Sequence, residues 1–219
     1  MAKFSKGILG PISGKIGPVI GSSWKNIAYL KTADIKKKSN KGPSPAQQAH
    51  HKKFGFITRW LKPLHPYIVT GYRNLAKSNT EVNLAFSDIY HHAITGVYPD
   101  LIINYENVRI SKGNLPGLDE VQAKLSSSNT LTLTWETSYE HGASFDDLLM
   151  LVILNDELSL ADGFTGGIKR TAKTCSFSFN EVLVGHPFHA YVSMVSLDGR
   201  RVSYSQYLGK IEPISESGV

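Results

Sequence analysis

Several places in the chain hold residues whose types could do chemistry. The segment GFTGGIKRT (163–171) brings three glycines close to Lys169, the ingredients of a phosphate-cradling loop. Such a loop needs G-x-x-x-x-G-K-[ST] between a strand and a helix, so that backbone N–H groups converge on phosphate. Here isoleucine precedes the lysine and arginine follows it, so the segment reads as a plain loop. His50-His51 and His91-His92 are adjacent pairs. Neighbours on a helix diverge by about 100°, whereas two imidazoles meet over one metal at i, i+4 spacing. Solvated or capping histidines are expected, and no metal. Cys175, the sole cysteine, sits in the alternating run KTCSFSF and reads as a packing residue. No G-x-S-x-G motif supplies a nucleophile for hydrolysis. Asp146-Asp147 stand before the apolar run LLMLVIL, where they read as gatekeepers against aggregation rather than as an acid–base pair. No catalytic residue and no cofactor are expected, and the chain reads as non-enzymatic.

Charge is more informative. The 219 residues carry 24 Lys+Arg and 18 Asp+Glu, for a net +6. Residues 1–80 hold 15 of the cations and one acid, Asp34, which makes +14; residues 81–219 hold 9 cations and 17 acids, which makes −8. So basic a front portion calls for a negative neighbour, either nucleic acid or the acidic portion of another copy. The residues expected to meet it are Lys15, Lys25, Lys36, Lys37, Lys38, Lys52, Lys53, Arg59, Lys62 and Arg73. Phe54, Trp60, Tyr67 and Tyr72 are interleaved with the last five. A nucleic-acid binder would stack such rings on bases; a helical core would bury them. The core is the expected role for the rings.

These groups must be positioned by the elements around them. The opening GILGPISGKIGPVIGSSW (7–24) is a near seven-residue repeat. Pro11 and Pro18 exclude a helix, at about 3 kcal/mol each, and every interior glycine adds roughly 1 kcal/mol. The alternative is an extended arm punctuated by Gly10, Pro11, Gly14, Gly17, Pro18, Gly21 and Trp24. It is expected either as an ordered edge hairpin turning near Lys25-Asn26 or as a segment that orders on assembly. The prolines should confine its first strand to a sheet edge or to an arm lying on something else. A basic loop, TADIKKKSNKGP (32–43), follows.

Ser44-Pro45 with Gln47 is a helix start. The spacing of Ala46, Ala49, Phe54, Ile57, Trp60 and Leu61 predicts a helix that ends at Pro63, followed by helices over 64–77 and after Thr80. Ile103, Tyr105, Val108 and Ile110 alternate as a trailing strand. Beyond GNLPG (113–117), strands are expected at 130–136, 148–154, 175–179, 188–196 and 201–207, with a tight hairpin at Asp198-Gly199. The domains read as residues 1–31 (β-arm and hairpin), 32–43 (basic loop), 44–112 (helical unit with trailing strand) and 113–219 (β-sandwich).

LTLTWE (131–136), with Trp135, and FHAYVSMVSLDGRRVSYS (188–205), with Tyr191, resemble strand signatures of a fibronectin type III domain. The resemblance implies an antiparallel Ig/fibronectin III-like β-sandwich at the C-terminus of an α+β chain. GILGPISGKIGPVIGSSWKNIAYLK, SPAQQAHHKKF, AITGVYPD and YVSMVSLDGRRVSYSQYLG also resemble a family of uncharacterised Bacteroidota proteins, a domain of unknown function over the whole chain. That resemblance implies no activity. MAKFSKGILG has no continuous apolar core or small-residue cleavage site, and no run of 18 apolar residues occurs, so a cytoplasmic product without a membrane span is expected. The expected function is a structural protein that self-assembles as a homo-oligomer, its basic front against the acidic sandwich of the next copy. A phage or extracellular particle is one setting. Nucleic-acid binding by the basic region is the alternative.

Overall fold

The computed structural model describes residues 3–4, 10–25, 27–33, 42–137 and 141–214. The chain divides into two compact units, Met1–Ser44 and Pro45–Val219.

The first unit is an antiparallel meander of four strands in the order β1 (Lys3–Phe4), β2 (Ile12–Ile16), β3 (Val19–Trp24), β4 (Ile27–Thr32). Gly17, at φ +55, and Pro18 connect the paired residues Ile16 and Val19. A positive φ followed by the negative φ that proline imposes has the φ signs of a II′ hairpin turn. The second turn begins at Lys25, φ +45, between the paired Trp24 and Ile27. Pro11 therefore stands before β2 and Pro18 in a turn. Neither proline interrupts a ladder, so the expected confinement of the first strand to an edge does not hold: β2 lies between β1 and β3.

The second unit begins with 27 helical residues without a break: α1 (Pro45–Leu61), a 3-10 turn (Lys62–Leu64) and α2 (His65–Gly71). Pro63 does end α1, but a helix resumes at once because Pro66 occupies the first turn of α2, where no N–H is needed. Helix α2 is shorter than expected; Tyr72–Lys77 is a series of turns. Helix α3 (Glu81–His92) is capped by the Thr80 hydroxyl, which accepts from the Asn83 N–H. After it come two-residue strands, β5 (Ile94–Thr95) and β6 (Ile102–Ile103). The expected trailing strand stops there. Asn104 accepts from the Glu106 N–H and turns the chain into a 3-10 segment, Tyr105–Asn107.

The sandwich follows, with β7 (Asp119–Ser127), β8 (Thr130–Glu136), β9 (Leu148–Asn155), β10 (Leu160–Lys169), β11 (Thr174–Ser178), β12 (Phe188–Val195) and β13 (Gln206–Ile211). One sheet has the order β11-β8-β7 and the other β10-β9-β12-β13, all antiparallel. Strands β7 and β10 were not expected, because one is polar and the other glycine-rich. GFTGGIKRT is consequently not a loop: most of it lies in β10, which pairs with β9 across a register shift between Thr165 and Lys169 where Gly166 and Gly167 have positive φ. The last strand starts at Gln206 rather than 201; Ser196 and Arg201 close the loop that contains Asp198-Gly199.

The central strands β9 and β12 of the sandwich's four-stranded sheet are buried on both faces. Leu149, Leu151 and Ile153 of β9, with Ala190, Val192 and Met194 of β12, fill the space between the sheets against Leu131, Leu133 and Trp135. Met150, Val152 and Leu154, with Tyr191 and Val195, face the other way and pack on Ile57, Trp60, Leu61, Leu64, Ile68, Ala85 and Ile89 of the helices. Helices and sandwich thus share a sheet. A strand wet on one face would alternate apolar with polar residues, but LLMLVIL has none to spare for water.

Leu151→Ala and Leu154→Ala remove the same atoms from opposite faces of β9. Each is expected to cost about 2–5 kcal/mol in urea unfolding. A loss under about 1 kcal/mol at Leu154 would mean that the helical layer does not cover the sheet.

Candidate interaction surface

The cross-strand register of the N-terminal sheet sorts its side chains, because residues directly opposite one another share a face. On the first face lie the rows Ile16–Val19–Thr32 and Gly14–Gly21–Leu30, then Ser23–Ala28. Ile12 folds over this face: a Cβ at Gly21 would strike its carbonyl oxygen, so only glycine fits there. Residues 10–12 and 28–30 bound a small cavity of about 210 Å³. On the second face lie the rows Lys15–Ile20–Lys31, Ser22–Tyr29 and Trp24–Ile27. Both faces carry exposed apolar groups, led by Leu30 (62% exposed) on the first and Ile27 (60%), Trp24 (51%) and Tyr29 (42%) on the second. All six residues of β4 are exposed, and among the described residues its outer edge is unpaired.

The expected contact residues are divided between the two units. Lys15 is on the second face and Lys25 in the turn beside it. Lys36, Lys37 and Lys38 lie outside the described residues. Lys52, Arg59 and Lys62 stand exposed on and just after α1, and Arg73 is exposed beyond α2. Lys53 is placed over the Tyr90 ring, 4.2 Å from its centroid. Three of the four rings among them went where a core needs them. Trp60 and Tyr72 are buried, Tyr67 packs on the core, and Phe54, though half exposed, rests 4.6 Å from the Phe86 ring. His92 Nδ1 bonds the Asp88 carbonyl at 2.9 Å, a link within the last turn of α3.

In the second unit the buried charges hold the chain together. Asp147 was expected as a surface gatekeeper. It is instead buried, with Oδ2 3.3 Å from Arg170 Nη2 and accepting from the Ser144 N–H at 2.8 Å. Arg170 also donates to the carbonyls of Pro116 and Gly117, and its own carbonyl accepts from Trp135 Nε1 at 2.8 Å. Local sequence carries no sign of this latch, since the arginine and its partners are 23 to 54 residues apart. Asp146, the outer member of the pair, meets Lys169 at the surface. Lys112 Nζ is 2.9 Å from the buried Asp88. Burial raises the Cys175 thiol above its ordinary range, which suits a packing residue. Where the 3-10 segment meets the sheet, the Tyr105 and His189 rings stack 3.5 Å apart, Tyr207 Oη is 2.7 Å from His189 Nδ1, and Tyr191 donates to the Tyr105 carbonyl. Burial raises the Tyr105 and Tyr191 phenols, and burial, then Lys210, lowers His189. No group of three or more metal-ligating side chains occurs among the described residues, and no helix there is long and apolar enough to cross a membrane.

The architecture is thus a seven-stranded antiparallel β-sandwich with a helical layer on one sheet and a separate N-terminal meander. The chain belongs to DUF6266, a family of unknown function, whose pattern matches residues 11–209. Among curated proteins there is no match. Similar solved structures include a fibronectin III domain of human collagen alpha-1(XX), at 9% identity over 50% of this chain and 94% of that one, with a TM-score of 0.37. The rat CD45 extracellular domains d3-d4 are 10% identical over 90% of this chain and 95% of that one, with a TM-score of 0.33. A fibronectin III domain of human contactin 1 is 11% identical over 57% of this chain and 98% of that one, with a TM-score of 0.28. Likeness at this level carries no argument about function, and the sandwich stands on its own strand order.

Arg170→Ala would leave Asp147 buried without its cation. The expected loss is about 3–5 kcal/mol in chemical denaturation; a loss below 1 kcal/mol would contradict the latch. The His189 shift has a fixed sign. Its pKa is lower folded than unfolded, so below about pH 6.5 the unfolded chain takes up a proton that the folded chain refuses. Stability should therefore fall as pH drops through the region just below 6.5, and His189→Gln should flatten that fall relative to the parent.

Proposed function

We propose that this chain is a non-enzymatic structural subunit that assembles with copies of itself through its N-terminal sheet. The observation that carries the reading is strand β4: it is exposed along its whole length, open at its edge among the described residues, and bears Leu30 on a face shared with Ile16 and Val19. An open apolar edge pairs readily with another strand, and a single-layer sheet this small gains stability by acquiring a second layer. Charge supports a head-to-tail partner over a sheet-to-sheet one. Residues 1–44 hold nine lysines against one acid, whereas residues 81–219 are acidic by eight. Two such sheets repel each other, while the acidic part of another copy attracts one. A head-to-tail contact closes into a ring or propagates as a filament. A non-catalytic role is supported by the use of Arg170, Asp147, Lys112 and Asp88 as structural ties.

Light scattering after size exclusion at about 10 μM chain and 50 mM salt should give a multiple of the chain mass. It should dissociate toward monomer at 500 mM salt, because exposed charge pairs are screened beyond about 10 Å at 0.1 M salt and about 3 Å at 1 M. Leu30→Glu should be monomeric at both salt concentrations with its secondary structure intact. A parent chain that is monomeric at 50 mM salt overturns the reading.

A further inference from the structure

The second face of the N-terminal sheet lies opposite the Leu30 face that carries the assembly just described. We infer that it is a platform for single-stranded nucleic acid.

Three rows cross the face. Lys15 and Lys31 flank Ile20 at one end, about 10 Å apart at two strand spacings. Tyr29, paired with Ser22, is one row along, at the about 7 Å that two strand residues span. Trp24 and Ile27 form the third row, with Lys25 in the adjoining turn. Lysines at both ends and two half-exposed rings between them, Tyr29 on β4 and Trp24 on β3, form a track that matches a polynucleotide strand. Lysines neutralise phosphates and release counterions, and flat aromatic faces accept unstacked bases of any sequence. A sheet is a suitable base for this, because its pleat holds alternate side chains upright on one side and leaves the strand ends open.

Two features specify the occupant. The first is charge: nine lysines and one acid in residues 1–44 call for a polyanion rather than a neutral or basic peptide. The second is the contrast between faces. Ile12 folds over the first, at Gly21, and Gly14, Gly21 and Leu30 offer it neither cation nor ring, whereas all the lysines and rings of β2–β4 fall on the second face or in its turn. Among the rings interleaved with the helical cations, Trp60 and Tyr72 are buried and Phe54 rests against the Phe86 ring. A duplex keeps its bases stacked inside and cannot use the rings, so the surface selects single strands. The inference does not rest on self-assembly, which uses the other face and the β4 edge.

The test is fluorescence anisotropy of the full-length chain with labelled 20-mers of oligo(dT), oligo(U) and a mixed-sequence DNA duplex, at 50 to 200 mM salt. Single strands should bind at least tenfold more tightly than duplex, and Trp24 emission should be quenched on binding. The oligo(dT) and oligo(U) arms separate DNA from RNA. Tyr29→Ala should weaken single-strand binding by tenfold or more, while Tyr29→Phe, which keeps the ring, should bind like the parent. The double variant Lys15→Ala/Lys31→Ala should lower the slope of log affinity against log salt by about 1.4, two phosphates at roughly 0.7 each. Lys124→Ala, an exposed lysine of the sandwich strand β7, serves as the control for net charge and should leave affinity unchanged. Equal affinity for duplex and single strand, or a Lys124→Ala loss as large as that of Lys15→Ala/Lys31→Ala, would show mere polycation behaviour and overturn the platform. So would absence of binding at 50 mM salt. If Tyr29→Ala unfolds the sheet by circular dichroism, Tyr29→Phe and the lysine pair decide the matter alone.

Discussion

Burial of both faces of strands β9 and β12 is the constraint on which the rest of the second unit depends. A sandwich needs its sheets apolar only on the inside, yet here Met150, Val152, Leu154 and Tyr191 project outward. At about 25 cal/mol per Å² of apolar surface, leaving that face in water would forfeit several kcal/mol, a large part of the marginal stability of a domain. The helices exist as a layer because this face must be covered. Their basic residues stay outside, and most of their aromatic residues pack inward for the same reason.

Polar groups are then placed to keep that packing in register. Arg170 is tied to Asp147 and to the chain leading into β7, and Trp135 is tied to the Arg170 carbonyl. The Tyr105, His189, Tyr191 and Tyr207 cluster joins the segment after α3 to β12 and β13. A buried ion pair adds little net stability over apolar packing but is costly to break, so it specifies one arrangement more than it strengthens it. Titratable groups consumed this way are not available for catalysis. The N-terminal sheet is the opposite case. It exposes apolar groups on both faces.

The strongest local patterns were legible directly. The helix starts at Pro45 and after Thr80, the apolar strand at 148–154, the turn at Lys25 and the alternation around Cys175 all follow from spacing that neighbours enforce within a few residues. What misled was residue type read without its partner. Glycines 163, 166 and 167 look like a loop until β9 offers a strand to pair with. Asp147 looks like surface charge until Arg170, 23 residues on, closes over it. Alternation through Tyr105 and Val108 looks like a strand until Asn104 turns the chain.

The linear order of residues thus determined composition, the charge division between front and rear, where helices begin, and which strands are apolar. These depend on interactions between near neighbours, whose geometry is set by the backbone itself. Tertiary structure alone decided which face of a strand is inside and which lysines stand together. It also decided that Lys15 and Lys31 share a side with Tyr29 and Trp24 while Leu30 lies opposite. Register across strands is a long-range property: shifting one strand by a single residue leaves every local propensity unchanged and moves each side chain to the other face.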